Sequence, residues 1–384
     1  MAAGFQTWLI EGGSALLGDA LRDAPVALVD GRIAGAGPDG ARRFDAGGLL
    51  VMPGLVDIHG DAHERQMQPR PGIGFPAVLG MRDSASQLLA AGITTACLGV
   101  TLSWEPGLRG IEAWRRTLAA VEAVRATGGC DLRIHCRYEA DNLDALEELL
   151  ADMAAGRVAL LAFNDHTPGI VRRLPDPAKA AAYAQRGGVA VTDFVALAEA
   201  ALARRGEVAE AHARLAAAAR ALGVPMLSHD DASPADRAAF RALGAAICEF
   251  PMSEAVAEAA RAAGEHVVMG APNVVRGGSH MGWGSAAPMA ERGLVSILAS
   301  DYYWPAMLEA AFILAGRGVL DLAAAWSLVS ANPAAAAGLA DRGRIAPGLR
   351  GDLVLVDPDR RAPVATFCEG RLAWLAAEAG GRLG

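Results

Sequence analysis

His59-Gly60-Asp61 sets an imidazole and a carboxylate two positions apart, so on an extended strand both side chains leave the same face and can close on one cation. Other ionisable residues end or follow apolar runs in the same way. They are His135, Arg137 and Glu139, then Asp165-His166, His229-Asp230-Asp231, Glu249, and Asp301 before Tyr302-Tyr303. A lone H-x-D recurs by chance, and any one of these histidines reads equally well as a hydrogen-bonded structural residue. Four of the eight histidines in the chain, His59, His135, His166 and His229, nevertheless stand at strand ends. With two further carboxylates they offer enough nitrogen and oxygen donors for two divalent cations. Two such ions lower the pKa of a water they share and offset charge on a leaving oxygen, which is hydrolytic chemistry. Asp301 is placed to take the proton from that water, or else to serve as a plain ligand or a helix N-cap.

Residues so scattered can meet only if strand ends converge. Candidate strands at 54–59, 94–100, 132–138, 158–164, 225–229, 245–250, 266–269 and 295–300 alternate with helical stretches at 118–125, 143–153, 192–222, 253–263 and 306–314. Such alternation implies right-handed crossovers and a parallel sheet, and eight units match an α/β fold of the (β/α)8 TIM barrel type. The carboxyl ends of its strands share one face. Short strands are expected at 8–11, 26–29, 31–35 and 49–51, and another at 352–357 near the other end, each group too small for its own core. The two ends are expected to pair into a composite β-sandwich domain, residues 1–52 and 340–384, beside a hydrolase barrel at 53–339.

Bulk composition excludes several classes. Hydrophobic residues make up 53% and charged residues 20% of the 384, which describes a compact globular enzyme. Aromatic residues are only 5% and the formal net charge is −8, so no basic, base-stacking surface invites nucleic acid. A small anion held by a local group of arginines remains compatible with that charge. The uncharged stretch between Asp83 and Glu105 is nominally long enough to span a membrane. Its Ser, Gln, Gly and Thr residues divide it into a helix at 84–91 and a strand at 94–100, so no membrane partner is expected. Five cysteines without C-x-x-C spacing, and a start lacking a secretory pattern, lead us to expect reduced thiols and a cytoplasmic location. His212, between charged residues on a helix, is expected on the solvated surface.

Two longer motifs carry a family resemblance. Met52-Pro53-Gly54-Leu55-Val56-Asp57-Ile58-His59 and the run from Gly343 to Val354 resemble the opening and closing signatures of the amidohydrolase superfamily. The segments 69–71, 91–95, 165–169, 228–232, 269–280 and 300–303 are similar to its diphosphatase branch in phosphonate catabolism, and cover nearly the whole chain. The resemblance implies a zinc, manganese or iron pair, zinc by default, with His59 and Asp61 on the first metal and His166 and His229 on the second. It implies that Glu139 bridges both, in the place of a carboxylated lysine, and that Asp301 completes the site. Asp61 departs from the usual His-x-His of the superfamily, though the diphosphatase branch shares it, and Ala62-His63-Glu64-Arg65-Gln66 differs from that branch.

A phosphorylated substrate also needs positive groups and an open backbone. Arg276, followed by Gly277-Gly278-Ser279, is the leading candidate, with Asn273, Arg70 and Arg137 beside it, and each arginine has a surface ion pair as its plainer reading. His280 is a candidate to protonate a leaving phosphate oxygen. Asp230 and Asp231 either orient imidazoles or cap a helix starting near Pro234. Tyr302, Tyr303 and Trp304 either wall the pocket or pack in the core. The expected reaction is metal-dependent hydrolysis of a phosphoanhydride in a ribosyl phosphonate triphosphate, releasing diphosphate. Hydrolysis or deamination at a C–N bond of a small metabolite is the alternative, a metal-binding relative without catalysis is a third reading, and a homo-oligomer is compatible with all three.

Overall fold

The computed structural model describes residues 6–278 and 285–384. Eight strands form one sheet: β1 (Leu55–Gly60), β2 (Ile93–Leu102), β3 (Asp131–Glu139), β4 (Leu160–Asn164), β5 (Met226–His229), β6 (Ile247–Glu249), β7 (His266–Gly270) and β8 (Ile297–Ala299). They lie in sequence order, each parallel to the next. Burial on both faces explains why they read as unbroken apolar runs, and all ten residues of β2 are buried. Val56, Ile58, Cys97, Leu160, Ala162, Leu227, Ile247, Val268 and Ile297 fill the interior. It is a packed core, which leaves only the rim free for chemistry.

The ring closes between β8 and β1. Asp301 N–H donates to His59 O and Asp61 N–H to Asp301 O, each at 2.9 Å. Beneath them Ser300 Oγ donates to Asp57 Oδ2 at 2.5 Å, and Ser300 N–H to Asp57 Oδ1 at 3.1 Å. Gly60 permits this seam, because a Cβ there would lie 2.5 Å from Ser300 Oγ and 2.6 Å from Asp57 Oδ2.

The chain ends pair as expected. Leu50–Pro53 runs antiparallel to Leu353–Asp357, within a six-stranded sheet, and leads directly into β1. A four-stranded sheet holding Trp8–Glu11 packs against it, with the Trp8 and Phe367 rings 5.3 Å apart in one shared core. Ser14–Leu17, Ala20–Asp23, Arg42–Asp45, Ala362–Cys368 and Arg371–Leu375 are strands beyond those expected.

Two expectations are corrected. The helix expected over 192–222 is two helices, Val191–Ala203 and Val208–Leu222, separated by a 3-10 turn at Arg205–Glu207. Gly206 is a poor helix former, and Arg205 turns inward to pair with Asp141 and Asp165. His212 is buried, not solvated, its ring centroid 4.8 Å from that of Phe163. The stretch at 83–105 divides between the helix Ala77–Ala90 and β2, and among the described residues no helix is long and apolar enough to cross a membrane. All five cysteines are free and buried.

Candidate metal centre

The strand ends turn outward sharply. Asp230, Phe250 and Asp301, just past β5, β6 and β8, adopt φ of 59°, 51° and 54°. That region is disfavoured for residues other than glycine, and such strain tends to gather where a site must be shaped. The turns bring donor side chains together in overlapping groups. His59, Asp61 and Asp301 form one, His166, His229 and Asp230 a second, and His59, His135 and Glu249 a third, the donor atoms within each lying within 4.8 Å of one another. The Phe250 ring packs edge-on against His59 and His229, at 4.9 and 5.4 Å, and fixes both planes. A cavity of about 220 Å³ opens over His59, Asp61, His229, Asp230 and Asp301. A larger one beside it, about 670 Å³, shares His229 and Asp230 and is lined by His166, Arg205 and His212.

Burial sets the protonation of the first group. It drives His59 well below the usual imidazole range, helped by the Arg137 charge, and brings His135 down to about 3, so both rings stay neutral, the form that binds metals. Burial, reinforced by the Asp61 charge, raises Asp301 to about 7. Gly270 leaves room for this carboxylate, since a Cβ there would lie 3.1 Å from Asp301 Oδ2.

In the second group burial is overcome by hydrogen bonding. It opposes a charge on His166, yet hydrogen bonds with Asp230 and Glu139 raise that ring to about 9. Glu139 Oε1 accepts from His166 N–H at 2.7 Å and from Thr167 N–H and Oγ1 at 3.0 Å, and Oε2 lies 3.0 Å from His166 Nδ1. These bonds hold Glu139 below the usual carboxylate range despite its burial. Both Glu139 oxygens are therefore engaged with His166 and Thr167. Arg137 spans the two groups, donating from Nη2 to His229 Nε2 at 3.2 Å and lying 3.6 Å from Asp61 Oδ2.

Other expected residues are placed unequally. Asn273, Arg276, Gly278 and Tyr302 line the smaller cavity, and Arg276 Nη1 donates to Tyr302 Oη at 3.2 Å. Gly277, at φ 79°, terminates the helix Ala271–Arg276. Arg70 is exposed and does not line the cavity, and Ser279 and His280 lie outside the described residues. Tyr303 is exposed and Trp304 packs in the core. The helix Pro234–Leu243 is capped by Ser233 Oγ, not by Asp230 or Asp231. Asp230 instead reaches the imidazoles, its Oδ2 3.2 Å from His229 Nδ1 and 3.5 Å from His166 Nε2. Glu249, which meets His59 and His135 in the third group, was not among the residues expected to hold a metal.

A barrel of this closure, with imidazoles and carboxylates gathered on its rim, defines a class, and the comparisons agree with it. The Amidohydrolase family profile matches residues 50–373, and the chain belongs to that family. It is an enzyme of the amidohydrolase superfamily. Alpha-D-ribose 1-methylphosphonate 5-triphosphate diphosphatase of Escherichia coli (strain K12) is 36% identical over 321 residues, covering 81% of this chain and 84% of that protein. Allantoinase of Rubrobacter xylanophilus (strain DSM 9941 / JCM 11954 / NBRC 16129 / PRD-1) is 35% identical over 119 residues, covering 30% of this chain and 24% of its own. Molinate hydrolase shares the fold, with a TM-score of 0.65 at 16% identity over 96% of this chain and 95% of its own.

Proposed function

We propose that this chain is a two-metal diphosphatase that hydrolyses a phosphoanhydride of alpha-D-ribose 1-methylphosphonate 5-triphosphate and releases diphosphate, in the cytoplasm. The observation that carries the reading is the 36% identity to the diphosphatase over 321 residues, 81% of this chain and 84% of that protein. The cavity supports it, for Arg137 and Arg276 face the same space as the metal donors, as a polyphosphate requires.

His59, Asp61 and Asp301 would hold one divalent cation, and His166 and His229, with Asp230, the other. The donor chemistry fits, being carboxylates and imidazoles, neutral at His59 and able to exchange a proton for a cation at His166, a set suited to zinc, manganese or iron, with zinc our default. Bound cations supply electrophilic stabilisation and lower the pKa of water. The chain's own residues do the rest. Asp301, beside His59 and Asp61, would take a proton from the attacking water. Arg137 and Arg276 orient the phosphate oxygens, and Glu139 holds the His166 ring through Nδ1 so that Nε2 faces Asp230. His280 remains our candidate to protonate the leaving oxygen.

The similarity to allantoinase favours hydrolysis at a C–N bond as a second reading. Purified protein incubated with the ribosyl phosphonate triphosphate, and separately with cyclic amides, separates the two. Diphosphate release from the triphosphate is expected, whereas amide opening or ammonia release without diphosphate would overturn the proposal.

A further inference from the structure

Three buried donors meet on the floor of the site. Glu249 Oε1 lies 2.7 Å from His59 Nδ1, and its Oε2 lies 3.9 Å from His135 Nε2 and 4.0 Å from His229 Nε2. Glu249 and His135 are wholly buried, and His59 is 1% exposed. Close as they are, His59 Nδ1 and Glu249 Oε1 lack hydrogen-bond alignment, and both Glu249 oxygens and His135 Nε2 have no hydrogen-bond partner among the described residues. The His135 ring is fixed from behind, because its Nδ1 bonds Ile58 O at 2.9 Å. Nδ1 is therefore the protonated nitrogen, and the lone pair on Nε2 points toward Glu249. Lone pairs aimed at a common point do not stabilise one another, and a buried carboxylate without a partner is costly. The nearest guanidinium, Arg137, is directed to Asp61 and His229 instead.

We propose that Glu249 and His135 are ligands of the cation in the His59 half, holding it together with His59 on the floor of the site, below the group that His59 makes with Asp61 and Asp301 at the rim. Two imidazoles and one carboxylate suit a divalent transition metal such as zinc. Glu249 is then the carboxylate that joins the halves, since it lies within 4.0 Å of both His59 and His229, while Glu139 positions His166. The assignment rests on the metal-dependent reading but not on the substrate.

Two measurements test it without turnover, so it stands or falls apart from the diphosphatase reading. Crystals of the whole chain grown with zinc should give an anomalous peak about 2.0–2.2 Å from a Glu249 oxygen and from His135 Nε2. Zinc bound at the mouth with both side chains out of bonding reach would overturn the proposal. Zinc affinity, read by competition with a chromophoric chelator, should fall more than about 100-fold in Glu249→Gln, while the melting temperature of the metal-free protein holds or rises. Unchanged affinity would overturn it, and the crystal measurement decides if that variant fails to fold.

Discussion

Beside His59 the buried His135 Nε2 and both Glu249 oxygens have no hydrogen-bond partner among the described residues, whereas His166 is partly open to solvent, hydrogen-bonded to Glu139 and paired with Asp230. The His166 half can stand as an ion-paired network, with Glu139 and Asp230 answering a ring raised to about 9. The His59 half cannot, because its imidazoles are held neutral by burial and its carboxylates repel one another, with Asp61 helping to push Asp301 to about 7. One half is held by the chain's own hydrogen bonds, and the other is the half to which we assign a cation held by buried donors. Binding and chemistry are therefore expected to divide unequally between them.

Altering the His59 half should cost the most. Asp301→Asn keeps the shape but removes the proton acceptor, so turnover is expected to fall about 10²–10⁴-fold with little change in melting temperature. Steady-state kinetics beside thermal melts check this, and unaltered hydrolysis would remove Asp301 from the mechanism.

The helix beneath the His166 half gives the next effect, on stability. Burial lowers His212 to about 4. As pH falls the unfolded chain takes up this proton first, near the ordinary value of 6.5, while the folded chain resists until about 4. Stability is thus fully present above about 6.5 and is lost between there and about 4, by roughly 3 kcal/mol from this group. His212→Leu should flatten that part of the pH profile in denaturant melts, and an unchanged slope would assign the loss elsewhere.

Gly60→Ala tests the seam that sets the His59 half. Its Cβ meets Ser300 and Asp57, and overpacking of this kind costs about 1–3 kcal/mol in urea melts. The smallest contrast lies on the substrate wall. Arg276→Gln should raise KM by about tenfold, as expected for one lost charge-assisted hydrogen bond, while Arg70→Gln on the exposed turn should leave it unchanged.

The barrel strands were legible because parallel strands buried on both faces leave plain apolar runs, and the observed bounds of β2 and β5 differ from the expected ones by two residues or fewer. That His59, Asp61, His166, His229 and Asp301 gather at one end of the barrel was legible because strand ends converge. Edge strands such as Ala20–Asp23 were not, since three of its four residues are exposed and its Arg22 and Asp23 look like loop. His212 was misjudged from its charged neighbours, although Ala211, Leu215, Ala216 and Ala219 mark the buried face on which it sits. Glu249 ends a three-residue strand, and nothing local distinguishes a buried acid there from a surface one. Its role depends on His59 and His135, residues distant in sequence.

The most direct test is to strip the purified protein of metal with a chelator, confirm the loss by elemental analysis, and follow diphosphate release before and after divalent cations are restored. Metal dependence predicts that release stops in the stripped protein and returns as about two equivalents are taken up. Release that continues undiminished in verified metal-free protein would contradict it.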